Sequence, residues 1–100
     1  MNDVWLIVPS WISKILNKES SGWSKVEVQI RDITTVEGLL TKIAINNEEF
    51  RRAVFDPNTG QINELIVFFL NNSYLRSSMV KETIISDGDT LMLLPIHGGG

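Results

Sequence analysis

The 100-residue sequence contains no cysteine and a single histidine. The lack of cysteine excludes disulfides, thiolate nucleophiles and cysteine metal sites, and it suits a reducing compartment. His97 has no second ligand beside it, so a metal site or a catalytic role for this residue is not expected. No clustered catalytic set is present either, which argues against a free enzyme. We therefore expect no bound metal and no bound cofactor.

Strong charge and long hydrophobic runs are also missing. The formal net charge is −3 and 21% of the residues are charged, so the sequence offers no basic patch for nucleic acid or anionic membrane. The N-terminal apolar run Val4–Val8 is too short for a membrane span or a signal-peptide core, and the acidic Asp3 precedes it. We expect a cytoplasmic protein without nucleic-acid or membrane partners.

Apolar runs and alternating patterns predict strands on both sides of a central helical region. The segments are Val4–Pro9, Lys25–Ile30, Glu64–Leu70, Tyr74–Leu75 and Thr90–Ile96. The second of them alternates apolar and polar residues, as a half-buried strand does. The first two strands are predicted to form a hairpin around an enlarged loop that holds a short helical turn.

The best predicted helix is Ile33–Asn46, whose apolar residues recur at helical spacing. Thr34 and Glu37 are spaced as a capping box at its start. A second helical segment is predicted at Asn46–Phe55. Turn-forming residues are concentrated at three places: Asp56–Gln61, Asn71–Asn72 and Ser86–Asp89.

This order of elements, β-β-α-β-β-β, predicts an α+β fold in which one main helix packs on one face of a mixed sheet. If the first and last strands are parallel neighbours, the fold is a ubiquitin-like β-grasp. We expect residues 1–96 to form this single domain. Residues 97–100 would form a flexible C-terminal glycine tail.

The stretch SDGDTLMLLPIHGGG resembles the C-terminus of the ubiquitin-like sulfur carriers. In those proteins an acidic-glycine turn, an apolar strand, a proline and a terminal di-glycine follow one another; here they correspond to Asp87–Asp89, Thr90–Leu94, Pro95 and Gly99–Gly100. TVEGLLTKI is similar to the opening of the family's helix, and ELIVFFLNNSYL is similar to its third strand and hairpin. FDPNTGQINE is similar to the longer form of the family. That form includes the carrier for cysteine synthesis, alongside the small subunits of molybdopterin synthase.

The resemblance implies a protein cosubstrate rather than an enzyme. An E1-like adenylyltransferase would use ATP to adenylate the terminal carboxylate, and a sulfur donor would convert it to a thiocarboxylate. A client synthase would then take the sulfur; the cysteine synthase-like, thiazole synthase and molybdopterin synthase types all remain open. By resemblance the reactive end is Gly100, with Gly99 and Gly98 behind it. The family usually ends in two glycines and this chain in three, so which glycine carries the reactive carboxylate stays open.

Two other functions share the same activation step. A ubiquitin-like modifier would use its activated end to form isopeptide bonds. A small subunit of molybdopterin synthase would keep its tail inserted in the larger subunit.

The predicted sheet carries more apolar residues than one buried face needs. Leu65–Leu70 and Leu91–Leu94 are apolar at odd and even positions alike. Two interpretations are compatible with each other: Asn46–Ile62, with Phe50 and Phe55, folds over part of the second face, and that face is a docking surface for the activating enzyme and the client. The candidate docking residues are Trp5, Phe68 and Met92. Asp87 and Asp89 resemble a metal-binding pair, but aspartates that flank a glycine are ordinary turn residues.

Overall fold

The computed structural model describes residues 2–16 and 23–95, which form a mixed sheet with helices on one face. The elements follow in the order β1 (Asn2–Val8), α1 (Ser10–Ile15), β2 (Ser24–Ile30), β3 (Thr34–Thr35), α2 (Val36–Asn46), α3 (Glu48–Val54), β4 (Ile66–Leu70), β5 (Ser73–Leu75), a 3₁₀ turn (Ser77–Met79), β6 (Ile84–Ile85) and β7 (Thr90–Pro95).

The main sheet has five strands in the order β2-β1-β7-β4-β5. The first and last strands of the chain are parallel neighbours at its centre, with Leu6 opposite Leu91. The other neighbouring pairs are antiparallel. This arrangement confirms the predicted α+β fold and its β-grasp topology. Beside the main helix α2, the structure contains the short helix α1, at the helical turn predicted after the first strand, and helix α3.

The core lies between the sheet and the helices, and strand alternation determines which residues enter it. In β1, Val4, Leu6 and Val8 are fully buried, and in β7 Leu91 and Leu93 are fully buried. Helix α2 contributes residues at helical spacing: Val36, Leu39, Leu40 and Ala44. The alternation predicted for β2 is also confirmed, because Val26 and Ile30 are buried and the residues between them are more exposed.

Helix α2 begins one residue later than its predicted capping box. Thr35, not Thr34, is the N-cap, and its Oγ1 accepts a hydrogen bond from the Gly38 N–H at 3.0 Å. Thr34 instead pairs with Ile85 in the ribbon of β3 and β6. The predicted reciprocal bond from Glu37 is therefore wrong, because the third helical position is occupied by Gly38. The shift arises from a long-range strand pair that a local pattern does not show.

Helix α3 confirms the second helical segment. The Asn47 side chain caps its start by accepting the Phe50 N–H at 3.0 Å. Phe50 and Val54 are buried on one side of this helix, whereas Arg51 and Arg52 are exposed. The turn that follows closes through the Gly60 N–H, which donates to the Asp56 carbonyl at 2.7 Å.

The Asp-Gly-Asp turn before β7 ties that strand to the start of β1. Gly88 has φ +85°, and its N–H donates to the Asp3 carbonyl at 2.8 Å. The Asp87 carboxylate accepts the Asp3 N–H at 2.7 Å. The Asp89 carbonyl accepts the Trp5 N–H at 2.9 Å. The turn thus extends the β1–β7 ladder past the strand itself.

The Asp89 side chain joins the same turn to the β4–β5 hairpin. Its carboxylate accepts the Ser86 N–H at 2.7 Å and the Asn71 side-chain amide at 2.9 Å. The Asn71 side-chain oxygen accepts the Thr90 N–H at 2.9 Å. Asn71 and Asn72 both have positive φ, as predicted for a tight turn. One carboxylate therefore joins the turn before β7 to the hairpin beside it.

Neighbouring phenylalanines on opposite faces of β4 allow a direct test of this packing. Phe68 is 0% exposed in the core, whereas Phe69 is only half-buried on the other face. Phe68→Ala is expected to reduce the free energy of unfolding by about 3–5 kcal/mol, because it opens a cavity in the centre of the core. Phe69→Ala should reduce the free energy of unfolding by clearly less. Urea denaturation of both variants checks this, and equal losses would contradict the assigned faces.

The Asp89 carboxylate should be worth more to stability than an ordinary surface carboxylate. Asp89→Ala removes the acceptor of the Ser86 N–H and the Asn71 amide; both bonds are exposed, so water replaces part of the loss and we expect a decrease of about 0.5–1.5 kcal/mol in the free energy of unfolding. Glu82→Ala, at an exposed carboxylate in another turn, is the matched control and should stay near wild type. Thermal and urea unfolding of the two variants would measure the difference.

Candidate functional site

The predicted reactive residues lie outside the described part of the chain. Gly98, Gly99 and Gly100 follow the last described residue, Pro95, and His97 also lies beyond it. What the structure does fix is the strand that leads to them and the surface beside that strand. These two features define the candidate site.

The strand that leads to the glycines occupies the centre of the sheet. β7 pairs with β1 on one side through Thr90–Met92 and with β4 on the other through Leu91–Pro95. Pairing with β4 thus continues for three residues beyond the last residue paired with β1. Strand β7 is anchored from both sides at its start and from one side near its end. A strand held in this way presents the following residues from a fixed point.

The sheet face opposite the helices carries a continuous apolar row. Strand pairing places Ile7 beside Met92, Met92 beside Phe69, and Phe69 beside Tyr74. The Phe69 and Tyr74 rings meet edge to face, with centroids 6.1 Å apart. We call this surface the open face; it also includes Trp5, Val67 and Leu94. Tyr74 is 63% exposed and the other members are half-buried.

Charged side chains lie at the margin of the open face and not at its centre. Lys25 pairs with Ile7 and Glu27 pairs with Trp5, both on the edge strand β2. The Lys25 ammonium lies 4.8 Å from the Trp5 ring centroid, in cation–π geometry. An apolar centre with a polar margin is the usual anatomy of a protein–protein interface.

The structure corrects one of the three docking candidates. Trp5 and Met92 lie on the open face, as predicted, but Phe68 is fully buried in the core. Phe69 occupies the position that was assigned to Phe68. In an uninterrupted apolar run such as β4, the sequence does not show which alternate residues face the core and which face outward. The Asn71–Asn72 turn could have supplied it, because a two-residue hairpin loop pairs Phe69 with Tyr74 and so places Phe69 beside a polar-tipped aromatic residue.

The segment Asn46–Ile62 does not cover the open face. Helix α3 packs against α1 and α2, on the side of the sheet where the helices lie. Phe50 is fully buried there, and Phe55 packs against the same core. The interpretation that this segment covers part of the second face is therefore wrong.

The aspartates that resemble a metal-binding pair have a structural role in the described chain. Asp87 and Asp89 accept the turn hydrogen bonds given above, and residues 2–16 and 23–95 contain no group of three potential metal-ligating side chains.

A groove of about 420 Å³ lies between α2, α3 and the turn after α3. Three of its charged side chains pair with one another, since Glu48 accepts from Arg51 at 3.2 Å and from Arg52 at 3.4 Å, and the Asp56 carboxylate accepts the Asn58 N–H at 2.8 Å. No helix in the described ranges is long and apolar enough to cross a membrane.

Comparison with solved structures shows the same fold in several proteins. SAMP1 from Haloferax volcanii aligns with a TM-score of 0.73 and 18% identity, covering 99% of this chain and 100% of that one. A chain of the BexX/CysO complex from Amycolatopsis orientalis aligns with a TM-score of 0.70 and 21% identity, covering 97% of this chain and 99% of that one. CysO from Mycobacterium tuberculosis aligns with a TM-score of 0.70 and 19% identity, covering 94% of this chain and 99% of that one.

At these identities the structural likeness is one of fold alone. A search of curated protein sequences finds no significant match. The family assignment comes instead from the sequence, which matches the model of the ThiS family over residues 15–100. This match spans most of the described fold and includes the glycine end. The chain therefore belongs to the ThiS family of ubiquitin-like sulfur carriers.

Proposed function

We propose that this protein is a sulfur-carrying cosubstrate whose reactive group is the C-terminal carboxylate of Gly100. The observation that carries the proposal is the position of β7. It is the central strand of a β-grasp sheet, fixed on both sides, and it leads directly into the glycine-rich end. Family membership supports the same conclusion.

The proposed chemistry has two steps, and both occur in a partner's active site. First, a carboxylate oxygen of Gly100 attacks the α-phosphorus of ATP, and pyrophosphate leaves. Second, a sulfur nucleophile from a donor attacks the activated carbonyl carbon, and AMP leaves with the oxygen. The carrier supplies only a main-chain carboxylate, so ATP is consumed by the activating enzyme and is not a resident cofactor.

Glycine suits the end of such a carrier because it lacks a Cβ. Gly98, Gly99 and Gly100 can adopt backbone angles that other residues avoid, and they need only a narrow channel. Their amide and carbonyl groups remain available to bond with the channel walls. A side chain at any of these positions would require a wider channel.

The open face is the proposed docking surface for the E1-like activating enzyme and for the client synthase. Leu94 belongs to this face and directly precedes Pro95, so the surface continues to the point from which the glycine end departs. A partner that covers Met92 and Phe69 would thus reach along β7 to the last described residue before the glycine end. CysO of Amycolatopsis orientalis is named in a complex with BexX, which supports a partner protein of this general kind.

The terminal chemistry can be tested by intact mass. The protein incubated with an E1-like enzyme of the family, ATP and a sulfide source should gain the mass difference between sulfur and oxygen. Omission of ATP should prevent the gain, because the carboxylate alone is a poor electrophile. Adding one tryptophan after Gly100 should also prevent the gain. A variant with one added glycine has the same length without the bulky side chain, so it shows whether the loss comes from the side chain or from the extra residue. Unchanged sulfur loading of the tryptophan-extended protein would overturn the proposal.

A modifier function is the second candidate, and the fold shared with SAMP1 favours it. SAMP1 of Methanosarcina acetivorans is named as a small archaeal modifier protein, and it aligns over 100% of this chain. A modifier would form the same acyl-adenylate, but a lysine amine would attack its carbonyl carbon, forming an isopeptide bond as AMP leaves. Lysine-linked adducts in the same reaction would favour the modifier over the carrier. Stable co-purification with one larger chain would instead favour a small subunit of molybdopterin synthase.

Docking through the open face can be tested with matched alanine variants. Phe69→Ala removes a ring from the centre of this face, so we expect binding to the activating enzyme to weaken by about tenfold or more. Ile45→Ala is the control, because Ile45 is 76% exposed on α2, in the helical layer. Isothermal titration calorimetry with the activating enzyme measures both affinities. If the two variants bind equally well, the docking surface lies elsewhere.

A further inference from the structure

Strand β2 forms one edge of the main sheet, and its backbone groups have a defined direction. The Trp5 N–H donates to the Asp89 carbonyl, on the β7 side of β1 and away from β2, so the pair Trp5–Glu27 is not hydrogen-bonded within the β1–β2 ladder. By alternation, Lys25, Glu27 and Gln29 turn their N–H and C=O groups outward. The Lys42 ammonium confirms this direction, because it reaches the Gln29 carbonyl from outside the sheet at 2.8 Å.

We propose that the β2 edge pairs with β2 of a second copy of this chain. The two strands would run antiparallel, with a twofold axis beside Val26. Lys25 of each copy would then face Glu27 of the other. The result is a continuous sheet across a symmetric dimer, in which the same surface serves both copies.

The backbone geometry fits this register. Lys25 and Glu27 both direct their backbone groups outward, so each Lys25–Glu27 pair exchanges two hydrogen bonds across the interface. The pair of Val26 residues at the axis is then the non-hydrogen-bonded type, as the alternation requires. Pairing that ends at Glu27 also leaves the Lys42 bond to Gln29 intact.

Charge selects this register over its neighbours. An axis beside Glu27 would set two glutamates against each other, and an axis beside Lys25 would set two lysines against each other. With the axis beside Val26, both cross-strand pairs join opposite charges. The side chains of Lys25 and Glu27 are exposed, and neither forms an ion pair within the described ranges.

The proposed interface is small, so association should be weak. It consists of one short strand pair and its flanking side chains, below the size of a stable interface. We therefore expect a dimer with a dissociation constant on the order of 0.1–1 mM at low salt. Raising the salt concentration should weaken it further, because the two charge pairs are exposed.

Charge exchange provides a sharp test by sedimentation equilibrium across a concentration series. K25E and E27K should each weaken self-association about tenfold, because each places like charges across the axis. An equimolar mixture of the two variants should restore association, since every cross-strand pair again joins opposite charges. The double variant K25E/E27K should associate like the wild type.

K81E is the matched control, because Lys81 is an exposed lysine outside β2 and undergoes the same charge change. It should associate like the wild type. Circular dichroism of each variant verifies the fold, and the double variant keeps the test valid even if one single variant unfolds. A wild type that stays monomeric throughout the series overturns the proposal. So does a dimer that all variants form equally well, or a mixture that fails to recover.

Discussion

The parallel pairing of β1 with β7 is the constraint on which the rest of this structure depends. It joins the first strand of the described chain to the last, so no connecting turn sets its register. The Asp-Gly-Asp turn supplies that register, because Asp87 and Gly88 bond to the backbone of Asp3. A slip of one residue would move Leu91 and Leu93 from the core to the open face. The three residues Asp87–Asp89 thus determine which face of β7 is buried.

The same register assembles the surface opposite the helices. Met92 lies between Ile7 and Phe69 only because β7 lies between β1 and β4 with its even-numbered residues on the open face. Core and open face therefore use alternate residues of the same strands. The apolar residues needed for the proposed docking are held in place by the burial of their neighbours, so the surface needs no support from the loops.

Local chemistry made much of this fold predictable from the sequence. Alternation gave the strand at Lys25–Ile30, helical spacing gave the main helix, and Asn71–Asn72 gave a tight turn. The errors arose where a long-range partner decides the outcome. Thr34 was assigned to a cap because its pairing with Ile85 leaves no local signal. Phe68 was assigned to the wrong face because an unbroken apolar strand has no visible phase.

The proposed reactive end at Gly98–Gly100 was predicted by family resemblance alone, and the structure describes the strand that precedes it. The helices occupy one side of the sheet, so a partner on the open face could follow β7 from Met92 through Leu94 without crossing them. Pairing at the β2 edge would not obstruct this route, because β1 separates β2 from β7. A twofold axis perpendicular to the sheet would also keep both open faces on the same side. The two β7 strands would then point in opposite directions, so each copy could serve its own partner.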